Sequence, residues 1–199
     1  MAAFRAITGV CDAIVRLLRL NYDAADFNNE LQFQVYLSDN FSQPMSAGVS
    51  LFLYRVTHNG THRSPRGRIH SGNTRFRSQL PIDIHFLLTA WGKDASLQHR
   101  IVGWMMRTLE DNPILPVGLL NSGTPDTFRP DEMVEVGLTE MTNEEMFRLW
   151  EIMVQNSYQI SIPYVARMVM IESTQTVDEG VPVQERIFEY RENTGETVP

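Results

Sequence analysis

The sequence predicts an α+β protein with one folded domain and a C-terminal arm. Three observations carry this. Leu80–Trp91 alternates as a strand does, with Ile82, Ile84, Phe86, Leu88 and Ala90 on one face and Asp83, His85, Leu87, Thr89 and Trp91 on the other. Gly92-Lys93-Asp94 then breaks the run, and Leu97, Ile101, Trp104, Met105 and Leu109 follow at helical spacing. A separate amphipathic helix opens the chain. The strand and the helix after it form the expected centre of a single core, with Asp94 as N-cap, Asn112-Pro113 as stop and Gln98, Arg100 and Arg107 on the outer face.

The other elements follow in order. Over Phe4–Leu20, Ile7, Val10, Cys11, Ile14, Leu17 and Leu18 make a continuous helical stripe. Leu31–Leu37 reads as a strand with Leu31, Phe33, Val35 and Leu37 on one face. Val49–Val56 is apolar on both faces, so a central position in the sheet is expected. His58–Ser78 is too rich in Gly, Ser, Pro and Arg for a core and reads as a long loop, as does Ile114–Pro130. Met133–Leu138 is a short strand. Thr142-Asn143-Glu144-Glu145 is a capping box between Met141 and Met146, opening a helix to about Val154 with Met146, Leu149, Trp150 and Met153 inward. Tyr158–Ile171 is a strand whose Pro163 implies a local edge or a bulge. The domain is expected over residues 1–172 and the arm over 173–199, where Val181–Tyr190 alternates with only part of its pattern core-like.

Composition narrows the function classes. The 199 residues, 43% hydrophobic and 21% charged, suit one soluble globular domain. No run approaches the roughly 18 apolar residues that a membrane span needs. Arg5, Asp12, Arg16 and Arg19 interrupt any signal-peptide h-region, so synthesis in the cytoplasm without export by the standard route is expected. The single cysteine, Cys11, excludes a disulfide framework and belongs to the buried face of the first helix.

Little catalytic chemistry assembles. His58 and His62 sit four apart, but in a loop without acidic neighbours, which loses the geometry of a metal site. Asp83 and His85 share a strand face, and Ser78 or Ser96 is a conceivable nucleophile. No G-x-S-x-G elbow supports a triad, so a polar pair at the strand's entry is the expected reading. There is no phosphate-binding P-loop and no G-x-G-x-x-G.

The net charge of −7 is unevenly spread. Between Phe41 and Ile82 there is no acid, but Arg55, Arg63, Arg66, Arg68, Arg75 and Arg77 lie there. From Asp131 onward there are 14 acids and four arginines. Such polarity suits contact between copies or with complementary neighbours, and equally a solvated surface. The loop over residues 58–78 therefore admits a protein interface, an unremarkable solvated loop, or an anion- or nucleic-acid-binding module. The acidic pI of about 5.2 and the lack of an RNA-binding signature weigh against the last.

Leu80–Trp91, followed by Gln98-His99-Arg100 and Gly103-Trp104-Met105-Met106 and closed by Leu109-Glu110-Asp111-Asn112-Pro113, resembles the most distinctive block of a known family. Gly48–Val56, Leu149-Trp150, Tyr164-Val165-Ala166-Arg167 and Pro182-Val183-Gln184-Glu185-Arg186 are similar to further pieces of it. The family is that of the cap, or tube-terminator, proteins of phage-tail-like extracellular contractile injection systems. The resemblance implies a tail-terminator-like fold, a mixed and mainly antiparallel sheet flanked by helices. It implies a structural subunit and not an enzyme: a homohexameric ring that ends inner-tube growth and joins the last sheath layer. Its expected partners are then itself, the tube protein and the sheath protein, with no cofactor, metal, small-molecule substrate, nucleic acid or membrane insertion. A closed ring needs two different complementary faces on each subunit. The expected interface residues are Arg63, Arg66, Arg68, Arg75 and Arg77 in the loop and Val183, Glu185, Arg186, Ile187 and Phe188 in the arm, where Val181–Tyr190 is expected to add a strand to a neighbouring sheet and hold the sheath.

Overall fold

Two apolar faces on one strand set the layering of the structure, a computed structural model that describes residues 4–27, 31–61, 75–153 and 158–177. The elements in order are α1 (Ala6–Leu20), the single turn α2 (Ala24–Phe27), β1 (Gln32–Tyr36), a 3-10 turn (Ser38–Ser42), β2 (Gly48–His58), β3 (Leu80–Trp91), α3 (Ala95–Asp111), β4 (Ile114–Leu115), α4 (Val117–Leu120), β5 (Val134–Leu138), α5 (Asn143–Met153) and β6 (Ser161–Ile171). The strands form one sheet in the order β1-β2-β3-β6-β5-β4. Among the described strands only β1 and β2 are parallel; the other pairs are antiparallel, which gives the expected mixed, mainly antiparallel sheet.

On one face of β3, Ile82, Ile84, Phe86, Leu88 and Ala90 pack into the main core with Val10, Ile14 and Leu17 of α1 and Leu97, Ile101, Met105 and Leu109 of α3. On the other, Leu87 and Trp91 meet Tyr36, Phe41, Met45, Met146 and Trp150, so the 3-10 turn and α5 close a second, smaller core. Burial on both sides favours partnered polar groups there, although the Trp150 Nε1–H of the second core has no hydrogen bond among the described residues. The Trp91 Nε1–H donates to Ser50 Oγ at 2.8 Å, and the Thr89 and Ser161 hydroxyls lie 2.8 Å apart.

The helices begin where their caps predict. Asp94 accepts the Leu97 N–H at 2.8 Å. Thr142 Oγ1 accepts the Glu145 N–H at 3.2 Å while the Glu145 carboxylate accepts the Thr142 N–H at 3.0 Å, closing the capping box. Met146 and Trp150 are buried as expected.

Several expectations are corrected. Leu31 and Phe33 are buried, but Val35 and Leu37 are exposed, because β1 is an edge strand and Tyr36 turns its ring to the second core. Gln98 is not on the outer face: its side-chain amide donates to Ala90 O at 2.9 Å and to Gln159 Oε1 at 2.6 Å. Trp104 is only half-buried, meeting Tyr22 and Phe27 edge-to-face and Phe33 at a tilt at the rim. Ile114–Pro130 is not all loop, since it contains β4 and α4. β6 lies inside the sheet; β5 ends at Leu138 opposite Tyr164, and just beyond it the Thr139 N–H donates to Pro163 O at 3.1 Å, so Pro163, which has no N–H to return, stands where the β5–β6 ladder stops.

Gly48 fixes the approach of β1 to β2. Its φ is +146°, and a Cβ there would lie 2.0 Å from Gln32 O. Gly48→Ala must push apart the one parallel pair, so it is expected to lower unfolding free energy by about 3 kcal/mol or more. Urea denaturation with an unchanged slope would measure it.

Candidate assembly surface

The segments before β3 and after β6 continue the ladder between those strands beyond the end of the sheet. Leu80 pairs with Ile171 as the last rung of the sheet. Further out, Phe76 bridges Thr176; the Arg77 N–H donates to Gln175 O at 2.9 Å and the Val177 N–H to Arg75 O at 2.8 Å. A charged anchor sits at the root of this ribbon. Glu172, its side chain 5% exposed, binds the Arg129 guanidinium at 2.8 Å and accepts from the Gln79 amide at 3.0 Å.

The ribbon joins the two regions singled out as interface. Arg75 and Arg77 are described and flank the bridge at the base of the arginine loop, while the pairing strand is the first part of the arm. The described ends of the two segments thus lie side by side. Arg63, Arg66 and Arg68, and Val183, Glu185, Arg186, Ile187 and Phe188, lie outside the described residues. Sequence inspection missed this pairing; its only local signal was alternation too short to stand out, and the anchor needed three distant residues.

Asp83 and His85 do not form a triad. Asp83 stands at an irregularity where β6 holds an extra residue, Met168, with φ +56°. Its carboxylate accepts the Met168 N–H at 2.9 Å and the Asn59 amide at 3.0 and 3.1 Å, which stabilises the left-handed backbone and ties down the end of β2. His85 Nε2 is 3.2 Å from Thr57 Oγ1, and Nδ1 is buried without a hydrogen bond. Burial first, then the Arg55 charge, lowers the pKa of His85, with Asp83 opposing. Both exposed serines, Ser78 and Ser96, are absent from these contacts. The pair is structural.

Other chemistry is equally sparse. Burial, with Asp12 nearby, pushes the Cys11 thiol up to about 12, far from the range of a nucleophile. Among the described residues no cluster of three His, Cys, Asp or Glu side chains could hold a metal ion. No helix among them is long and apolar enough to cross a membrane. Among the described residues, the concavities include open grooves between α1 and β1, beside β4 lined by Ile114, Met133 and Arg167, and between β2 and α5 around Tyr54 and Glu145.

Solved structures share this architecture. The sheath/tube terminator of the PVC extracellular contractile injection system, in its extended state, is similar with a TM-score of 0.64 and 15% identity over 96% of this chain and 65% of that one. The tube-terminating cap of the anti-feeding prophage is similar with a TM-score of 0.61 and 14% identity over 91% of this chain and 60% of that one. The chain spans under two thirds of the length of either. Its fold is therefore that of the tube terminators. The chain belongs to the Pvc16 N-terminal domain family, whose model matches residues 9–185. No curated protein matches it in sequence.

Two outcomes test the local chemistry. Glu172→Ala removes the shared partner of Arg129 and Gln79 and is expected to cost about 3 kcal/mol. It should also speed hydrogen exchange at the Arg77 and Val177 amides more than elsewhere in the sheet. His85 favours its neutral form in the fold, so its contribution to stability is complete above the ordinary value of 6.5 and is lost as pH falls below 6.5 toward the lowered folded value. His85→Gln should flatten the stability curve in that acidic interval, read by denaturation at successive pH values.

Proposed function

We propose that the chain is a structural cap of a contractile injection system. It ends growth of the inner tube, joins the last sheath layer, and does so as a closed ring of copies, six by the family resemblance. The observation that carries this reading is the terminator fold running through nearly the whole chain, together with its family. The subunit has no catalytic role: its polar side chains brace bulges, caps and the ribbon. It is assembled in the cytoplasm and becomes part of a phage-tail-like particle. Nothing among the described residues favours the nucleic-acid alternative.

Ring closure is a head-to-tail contact between unlike surfaces. The arginine loop supplies the basic surface, Arg63, Arg66, Arg68, Arg75 and Arg77, and the acidic C-terminal third of the next copy supplies its complement. Purified protein mixed with its tube protein should give a discrete ring by native mass spectrometry and should halt tube elongation. A monomer indifferent to tube ends overturns the cap reading. Replacing Arg66, Arg68, Arg75 and Arg77 together by Glu should abolish rings while circular dichroism and the melting transition still report a folded subunit. Normal rings from that variant overturn the arginine assignment.

A further inference from the structure

β1 is an open edge of the sheet. Its ladder with β2 begins with the Gln32 N–H on Ala47 O at 3.0 Å, and the alternation gives Gln34 and Tyr36 to the same side. The peptide groups of Phe33 and Val35 therefore face outward. Side chains hold the ends of that outer row. Tyr22 OH accepts the Leu31 N–H at 3.2 Å, the Arg19 guanidinium donates to Phe33 O at 2.9 Å, and Asn40 Oδ1 accepts the Leu37 N–H at 2.7 Å. Among the described residues, nothing bonds the N–H or C=O of Val35. Edge strands are ordinarily blunted by Lys, Pro or a bulge, and β1 has none of these. Instead Val35 and Leu37 are 42% and 74% exposed.

The two faces of this edge differ. On the α1 side a groove runs along it, with Val15, Phe33 and Val35 as apolar lining and Asp12, Arg16 and Arg19 as its charged groups. On the other side Gln34 borders a polar concavity with Asn40 and Gln43. A strand that fits must carry aliphatic side chains and carboxylates on one face and polar groups on the other.

We propose that the open edge of β1 accepts residues 181–190 of a second copy of the chain as an added strand. In extended form that segment carries Val181, Val183, Glu185, Ile187 and Glu189 on one face. The aliphatic members match Val15, Phe33 and Val35, and the carboxylates match Arg16 and Arg19. Pro182, Gln184, Arg186, Phe188 and Tyr190 belong to the opposite face, where Gln184 and Arg186 match the polar concavity. The incoming backbone takes over the bond to Phe33 O, freeing Arg19 to pair with a carboxylate.

The strand comes from another copy because of where the arm leaves. Val177 is paired in the ribbon beyond the end of the sheet, and β6 is separated from β1 by β3 and β2. The four steps from Val177 to Val181 span at most about 14 Å. The slot outside the same subunit's β1 lies four strand spacings away, about 19 Å sideways. The arm therefore serves its neighbour in the ring, which refines the cap reading and rests on it, and the acceptor is the next subunit and not the sheath.

The test uses full-length chains in two populations. One carries Gln34→Cys; the other carries Gln184→Cys, Arg186→Cys or Phe188→Cys in turn, with Ile187→Cys as the wrong-face control. The native Cys11 is buried, with its thiol pushed up to about 12, and does not compete. On mixing and oxidation, one of the three even positions should cross-link to the Gln34→Cys chain about tenfold better than the control. Val35→Pro removes only an outward N–H and should lower that yield about tenfold. Glu185→Lys with Glu189→Lys should lower it as well, and Arg16→Glu with Arg19→Glu should restore it. Equal yields from both faces, an undiminished yield with Val35→Pro, or a cross-link confined to single chains carrying both introduced thiols overturns the proposal. Rings that form without the cross-link overturn it and leave the cap reading standing. Cross-linked pairs that never halt tube growth overturn the cap reading instead.

Discussion

Burial of both faces of β3 is the constraint on which the rest of the structure depends. A strand sealed on one side only needs one layer of helices. Here Ile84, Phe86 and Leu88 demand α1 and α3, while Leu87 and Trp91 demand the 3-10 turn and α5. The sheet is thus sandwiched where β3 meets its neighbours, and its flanking strands inherit a burial that differs from residue to residue. The same double burial explains why hydroxyls and an indole are paired so closely there. At Ser50, Thr89, Trp91 and Ser161 no water is at hand to replace a missing partner.

Away from that sandwich the sheet is trimmed by polar devices. Asp83 holds the left-handed Met168 and the side chain of Asn59. Glu172 gathers Arg129 and Gln79 at the root of the ribbon. Both carboxylates connect segments far apart in sequence, Asp83 through a backbone N–H and a side-chain amide and Glu172 through two side chains. Carboxylates used in this way are committed to structure, which accords with the proposed cap role.

A cap of the kind proposed must bind on one side and refuse further addition on the other. Contact energy alone cannot do that; geometry must. A sheet with a short β4 at one edge and an open β1 at the other offers unlike sides, and the ribbon pairs the residues at the base of the arginine loop with those after β6 beyond the end of the sheet. In the proposed ring, charged residues on unlike surfaces would let copies associate specifically without a large apolar face.

How much of this was legible beforehand depends on whether the causes were local. β3, the Asp94 cap, the capping box at Thr142 and the amphipathic α1 were all readable, because alternation, helical spacing and side-chain-to-backbone bonds act within a few residues. The family blocks were readable for the same reason. Val35 and Leu37 were misplaced because the pattern of a strand gives its period but not whether a neighbour covers it. Gln98 was misplaced because its partners, Ala90 and Gln159, come from other elements. Of the assembly surface, the sequence by itself determined the residue types: the arginines, the acidic arm and its alternation. Tertiary structure alone decided that Arg75 and Arg77 pair with the start of the arm, that Glu172 anchors them, and that β1 is left open. Those outcomes depend on which strands become neighbours, a property of long-range packing that no stretch of sequence contains.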